Sequence, residues 1–239
     1  MTDPFGRALL DHARGEQAEP LYQSDGPERR EHPVEEFYFG ERDPDDETTA
    51  FLERWLDGPL VDLGAGVGRD ALYFQRQFET VAVEVSPSLV TAMEERGVEQ
   101  AVRGDMFALT ERFERDRFAS AHALGTQLGL ATSLDGLRSF LTDLAFVTEP
   151  GATAVLDSYD PTREAASDLL GYRRDPTPGL AARVMQFTYE GERAPTLLFR
   201  LFSPDRLREA CVPTPWTVET VRAARSSDSC HYRAALSKT

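Results

Sequence analysis

From Leu60 to Asp157 the chain alternates short apolar runs with amphipathic stretches, the rhythm of βαβ units that feed a parallel sheet. Leu60 to Leu63 reads as a first strand, Arg69 to Gln77 as a helix and Val81 to Val85 as a second strand. Ser86-Pro87 places a capping hydroxyl before a proline at the first helical position, which opens a helix running to about Arg96. Ala101 to Arg103 is a short third strand and Phe118 to Leu124 a fourth. Ser133 caps a helix whose Leu134, Leu137, Leu141 and Leu144 recur at helical spacing, and Pro150-Gly151 turns the chain into a fifth strand, Ala152 to Asp157.

The rhythm breaks on both sides of this block. Residues 11 to 45 are polar and punctuated by Gly15, Pro20, Gly26, Pro33, Gly40 and Pro44, and Asp3, Pro4 and Gly6 interrupt Met1 to Leu10. The expectation for 1 to 45 is an arm or lid without a core of its own. A helix begins near Asp45 or Asp46 with Phe51, Leu52, Trp55 and Leu56 on one face, and Gly58-Pro59 ends it. Beyond the fifth strand, Ala182 to Tyr189 and Thr196 to Phe202 read as two strands joined across Glu190-Gly191-Glu192, a hairpin insertion within residues 161 to 200. Ser203-Pro204 caps one more helix through Ala210, and Trp216 to Ala223 pairs antiparallel with His231 to Ser237.

With 239 residues, 41% of them hydrophobic, the chain supports one sizeable core, so 46 to 239 forms one domain carrying the insertion. No apolar run approaches the length of a bilayer span, so a cytoplasmic protein that does not enter membranes is expected. Cys211 and Cys230 are the only cysteines and no Cys/His cluster has metal-ligand spacing, which points to two free thiols and no metal. Asp and Glu number 41 against 26 Lys and Arg, and Lys238 is the only lysine. A net charge of −15 argues against general affinity for a phosphate backbone, DNA included. It also suits a salt-rich cytoplasm, where a short Debye length screens self-repulsion.

Asp62-Leu63-Gly64-Ala65-Gly66-Val67-Gly68 stands where the first strand gives way to its helix, so its glycines let the backbone turn sharply and approach a ligand without Cβ interference. A dinucleotide fingerprint needs a glycine where this chain has Arg69, which disfavours a nicotinamide oxidoreductase. An acidic residue before the first glycine, with glycines at every second place, resembles motif I of the class I S-adenosylmethionine-dependent methyltransferases, and the resemblance extends over about Leu60 to Asp157. It implies a Rossmann-like α/β fold: a seven-stranded sheet in the order 3-2-1-4-5-7-6, helices on both faces, and an antiparallel C-terminal strand pair.

The same resemblance implies S-adenosyl-L-methionine as cofactor. Gly64, Ala65 and Gly66 would pass its methionine part, with Asp62 holding the ammonium group. Glu84, closing the second strand beside Val85, would accept from the ribose hydroxyls. Asp105 would meet the adenine amino group with Met106 against the ring, and Ala123 and Leu124 would border the transferring methyl.

No Asn/Asp-Pro-Pro-Tyr run follows the fourth strand and neither cysteine lies there, so the apparatus for methylating DNA bases is missing. Thr126 and Gln127 occupy that region and can face a small polar acceptor. His122 and Tyr159 are the candidate catalytic groups, because either could exchange a proton with an acceptor near the methyl-transfer edge. Tyr22, Tyr38 and Phe39 of the arm are candidates to cover the ligand. The favoured reading is methyl transfer to nitrogen or oxygen of a small molecule. Its rivals are an RNA or protein methyltransferase, for which Arg29-Arg30 and Arg173-Arg174 are the only adjacent arginine pairs, and a non-catalytic adenosylmethionine-binding protein. Oligomeric state is not written in the sequence.

Overall fold

The computed structural model describes residues 2–224 and 226–239, so Met1, where the arm begins, and Arg225 lie outside the described residues. The strands are β1 Tyr22–Asp25, β2 Glu28–Glu31, β3 Leu60–Leu63, β4 Thr80–Glu84, β5 Ala101–Arg103, β6 Phe118–Ala123, β7 Thr148–Tyr159, β8 Tyr172–Arg174, β9 Leu180–Tyr189, β10 Glu192–Arg193, β11 Leu197–Phe202, β12 Trp216–Ala223 and β13 His231–Lys238. The α-helices are α1 Pro4–Arg14, α2 Glu47–Trp55, α3 Arg69–Phe74, α4 Pro87–Arg96, α5 Leu134–Val147 and α6 Pro204–Cys211.

Seven strands form the main sheet in the order β12-β13-β7-β6-β3-β4-β5. Read from the other edge, this is the order 3-2-1-4-5-7-6. β3 pairs in parallel with both β4 and β6, while β13 runs antiparallel to β7 and β12. β3 and β4 are buried along their whole length, which is why they read as short apolar runs, with Asp62 and Glu84 as buried acids near their carboxyl ends. On one face Val61, Val81, Phe118 and Ala121 pack with Leu137, Phe140 and Leu144 of α5. On the other, Leu60 and Val155 pack with Leu52 of α2 and Phe74 of α3.

Residues 3 to 14 depart from the expectation of an interrupted segment. Asp3 accepts a hydrogen bond from the Gly6 backbone at 2.8 Å, Pro4 takes the first helical position and Gly15 closes α1 in the left-handed conformation, so the apparent breakers are the caps of a helix. Ala8 and Leu9 of α1 are fully buried, and α1 packs against α4.

The polar segment after α1 forms the β1–β2 hairpin, and β1 pairs antiparallel with β9, Tyr22 opposite Thr188. Because β9 also pairs with β8, β10 and β11, the arm and the segment after β7 share a second, six-stranded sheet. Ala8, Leu9, Leu21 and Val34 of the arm join Met185, Phe187 and Tyr189 of β9 in an apolar cluster that includes Val67 of the glycine turn and Leu89 of α4. The second sheet is thus fastened to the carboxyl edge of the main one. Among the described residues no helix is long and apolar enough to cross a membrane, and both cysteines are free and buried.

Candidate functional site

Gly64, Gly66 and Gly68 follow β3 with φ of 68°, 60° and 78°, a left-handed run that side-chain-bearing residues rarely adopt. The Gly64 and Ala65 backbones both donate to the Val83 carbonyl, at 2.9 and 3.1 Å, which ties the turn to the end of β4. There Glu84, nearly buried, accepts from the Gly66 N–H at 3.1 Å through one oxygen and from the Val85 and Ser86 N–H groups at 2.8 and 3.1 Å through the other. Burial pushes the Glu84 carboxyl up from its ordinary range, against the pull of those three donors. Val85, the next residue, is 63% exposed, an unusual position for a large aliphatic beside a buried strand.

Asp62 sits in β3 directly opposite His122 of β6, and its Oδ1 lies 2.8 Å from His122 Nε2. Its second oxygen, Oδ2, is buried without a hydrogen-bond partner among the described residues. His122 has no exposed surface; it faces Phe74 of α3, ring centres 6.0 Å apart. Burial opposes its charged form, but Asp62 and, more weakly, Asp70 outweigh that and raise its proton affinity. Asp70, at the start of α3, is itself buried against its charge, yet the Arg42 guanidinium 2.5 Å away holds it at about 2.

Asp105 lies just past β5, exposed, and accepts from the Phe107 N–H at 2.9 Å, while Met106 is buried beside Phe107. Ala123 ends β6 fully buried and Leu124 leans on the cluster beneath α2. The loop after β6 is fixed by a residue the sequence reading passed over. Asp157 of β7, 1% exposed, accepts from the Gly125 and Thr126 N–H groups at 3.1 and 2.6 Å and contacts His231 Nε2 at 2.9 Å. That anchor holds Gln127 over the glycine turn, where a Cβ on Gly64 would come 2.6 Å from Gln127 Cδ. Only its place at the end of a buried strand marked Asp157 in the sequence.

Tyr38 covers the neighbouring glycine: a Cβ on Gly66 would meet its Cδ1 at 3.7 Å. The charges that bear on its buried hydroxyl are Tyr159, Arg69 and Glu84, so it stands between the end of β4 and the end of β7. His32 Nε2 lies 2.8 Å from the Tyr38 hydroxyl and Gln23 Nε2 lies 2.6 Å from His32 Nδ1. Burial lowers His32 to about 4, with Arg183 adding to the effect. A neutral ring that accepts from Gln23 donates its remaining N–H to Tyr38, which leaves the Tyr38 proton free for another partner. No motif marked His32.

Tyr159 ends β7, mostly buried, with the His231 ring centre 5.9 Å away, and burial pushes its phenol up. Tyr22, by contrast, is held beneath Arg29, whose Cζ stands 3.4 Å from its ring centre, on the β1–β2 hairpin. Two open clefts lie elsewhere. One of about 530 Å³ borders His12, Leu21 and His32, and one of about 340 Å³ borders Arg42, Thr49 and Arg69. Neither is lined by Gly64, Gly66, Glu84 or Asp105, in keeping with the side chains that rest on the turn.

No protein-family model and no curated protein matches the chain. Solved structures do. A methyltransferase from Bacteroides fragilis, in complex with S-adenosyl-L-homocysteine, superposes with a TM-score of 0.76 at 22% identity over 99% of this chain and 95% of its own. The glycopeptide N-methyltransferase MtfA gives 0.59 at 22% identity over 84% and 92%. The 1,6-didemethyltoxoflavin-N1-methyltransferase of Burkholderia thailandensis gives 0.51 at 20% over 75% and 70%. At these identities the likeness is one of architecture, and it holds across nearly the whole chain in the first case. The chain has the fold of the class I S-adenosylmethionine-dependent methyltransferases.

Proposed function

We propose that the protein is an S-adenosylmethionine-dependent methyltransferase acting on nitrogen or oxygen of a small molecule. The observation that carries the reading is the meeting, at the end of β3, of a left-handed glycine turn, the free Asp62 oxygen and the Glu84 carboxylate. These fit the cofactor group by group. Asp62 Oδ2 is a buried acceptor lacking a donor, which suits an ammonium group, and the bare backbone at Gly66 leaves space that an added Cβ would take from a ligand. Glu84 stands one strand away with one lone pair of Oε2 left for a ribose hydroxyl, and exposed Val85 offers apolar surface for a purine. The bound cofactor supplies a sulfonium methyl that is already strongly electrophilic, so the protein's work is to orient the acceptor in line with it and to exclude water.

His122 acts in this reading through Asp62: enclosed beneath the strand ends, it orients and stabilises the carboxylate that would hold the ammonium group. The groups placed to meet an acceptor are Tyr38, Gln127 and Tyr159, with the second sheet and the arm as the cover. The segment of residues 161 to 200 and the arm then serve together as a lid, and the acceptor is a molecule small enough to be enclosed. Two of the structural relatives carry glycopeptide and didemethyltoxoflavin methylation in their names, which agrees with an acceptor of modest size. Charge supports the same choice, since −15 gives no general hold on a long polyanion.

The test is to supply the protein with methyl-labelled S-adenosylmethionine and, separately, a panel of small amines, acids and phenols, total RNA, and a protein extract. Label in a small molecule is expected. Label in RNA or protein alone overturns the acceptor class, and cofactor binding with no labelled product makes the protein a binder.

A further inference from the structure

Arg183 is a buried arginine without an acid to neutralise it. It is only 9% exposed in a chain whose acids outnumber its bases 41 to 26. Its Nε donates to the Leu170 carbonyl at 3.0 Å, and one Nη lies 3.6 Å from Met185 Sδ. Among the described residues it forms no ion pair, and the groups whose charge bears on it are Tyr159, Cys230 and Arg30, with no carboxylate among them. The other well-buried arginines contrast with it: Arg42 holds Asp70 at 2.5 Å, and Arg233 lies in the field of Asp157 and Asp70. A guanidinium stays charged inside a protein, and its burial is costly unless an anion meets it.

Its position says what that anion belongs to. Side chains alternate along β9, so Arg183, Met185 and Phe187 share one face, and Met185 and Phe187 pack in the cluster that contains Val67 of the glycine turn, with Tyr38 against it. Arg183 Cζ lies 5.8 Å from the centre of the Tyr159 ring, and Tyr159 and Tyr38 are close enough for their hydroxyls to interact electrostatically. Arg183 thus faces the carboxyl edge of the main sheet, on the acceptor side of the proposed methyl-transfer site.

We propose that Arg183 binds a carboxylate carried by the methyl acceptor, so that the substrate is a small organic acid whose apolar body lies against Tyr159 and Met185. The proposal rests on the methyltransferase reading and narrows its substrate. A carboxylate is favoured over a phosphate because the site offers one unpaired cation: Arg30, whose charge also reaches Arg183, is held by Glu28 at 2.5 Å. The other groups around Arg183 are a thioether, a phenol, a thiol and a neutral imidazole, a set that balances one negative charge and not two.

The experiment uses the full chain saturated with S-adenosyl-L-homocysteine and follows binding by calorimetry. The probes are matched acids and amides: benzoate and benzamide, cinnamate and cinnamamide, indole-3-acetate and indole-3-acetamide, with phenyl phosphate as a further arm. Wild type is expected to prefer at least one acid over its amide by about tenfold or more, the weight of one charge-assisted pair. In Arg183→Gln that preference disappears while homocysteine-analogue affinity stays within about twofold, since the residue does not belong to the cofactor's half of the site. Arg183→Lys keeps the charge but loses the fork, so a reduced preference survives; this variant carries the test if Arg183→Gln fails to fold. Equal binding of acids and amides across the panel, or an acid preference unchanged in both variants, overturns the proposal. Phenyl phosphate binding tighter than every acid overturns the carboxylate assignment. Failure of S-adenosyl-L-homocysteine to bind at all defeats the methyltransferase reading, and the acid-amide comparison on the free protein then judges Arg183 separately.

Discussion

Replacing Gly66 and Gly68 by alanine, one at a time, separates a glycine kept for a ligand from a glycine kept for packing. Both have positive φ, so alanine at either costs about 1–2 kcal/mol of backbone strain. At Gly66 the added Cβ meets only Tyr38 Cδ1 at 3.7 Å, ordinary contact, and the expected loss of stability stays near that strain alone. At Gly68 the Cβ would stand 2.5 Å from Val98 Cγ2 and 3.1 Å from Met93 Cγ, both in buried side chains, so overpacking raises the total to about 2–5 kcal/mol. Urea unfolding followed by the fluorescence of Trp55 and Trp216 measures the stabilities, and calorimetry measures S-adenosylmethionine affinity. Gly66→Ala should lose little stability and at least about tenfold in affinity, because the new methyl group occupies the space of backbone approach. Gly68→Ala should lose mainly stability. If Gly66→Ala binds the cofactor as tightly as wild type, the turn is not its cradle.

Glu84→Ala strips the acceptor from the Gly66, Val85 and Ser86 N–H groups, so cofactor affinity should fall and stability with it by about 1–3 kcal/mol. Asp105→Ala, at an exposed residue bonded only within its own loop, should lower affinity with stability unchanged; calorimetric affinities equal to wild type in both variants would falsify the ribose and adenine assignments. His32 titrates at about 4 folded and near 6.5 unfolded, so below pH 6.5 the unfolded chain takes up a proton the folded one refuses. Wild type should therefore lose up to about 3 kcal/mol relative to His32→Gln between pH 6.5 and 4, with the difference constant above pH 7; parallel urea midpoints over that window would show that His32 is not held neutral. Stability should rise from low to molar potassium chloride as salt screens the −15 charge, and a flat or falling melting temperature would remove the salt-adapted reading.

The parallel strands were legible because β3, β4 and β6 are buried on both faces and so appear as short, mainly apolar runs between caps, while their order in the sheet came from the resemblance to the methyltransferase family and not from the runs. Ser86-Pro87 and Ser203-Pro204 announced α4 and α6, yet the equivalent Asp3-Pro4 reads as an interruption, because Gly6 follows it within the first turn and masks the amphipathic pattern of α1. The β1–β2 hairpin is marked in the sequence only at its turn, Asp25-Gly26-Pro27, because neither strand has an alternating apolar pattern. Its Glu28–Glu31 strand is exposed throughout, and β1 is a strand because the edge of β9 offers it backbone partners. His122 illustrates a different limit: the sequence places it on a strand, but only the register opposite Asp62 tells which groups it meets. Arg183 did leave a trace. It falls in phase with Ala181, Met185, Phe187 and Tyr189 on β9, a charge on the apolar face of an alternating strand, and such a residue calls for a partner.

The account stands on the identity of the ligand at the end of β3. Calorimetric titration of the purified chain with S-adenosylmethionine and, separately, with NADH decides it. Saturable one-to-one binding of S-adenosylmethionine, weakened in Gly66→Ala and absent for NADH, is the predicted result. No binding of S-adenosylmethionine, or tighter binding of NADH, would contradict it.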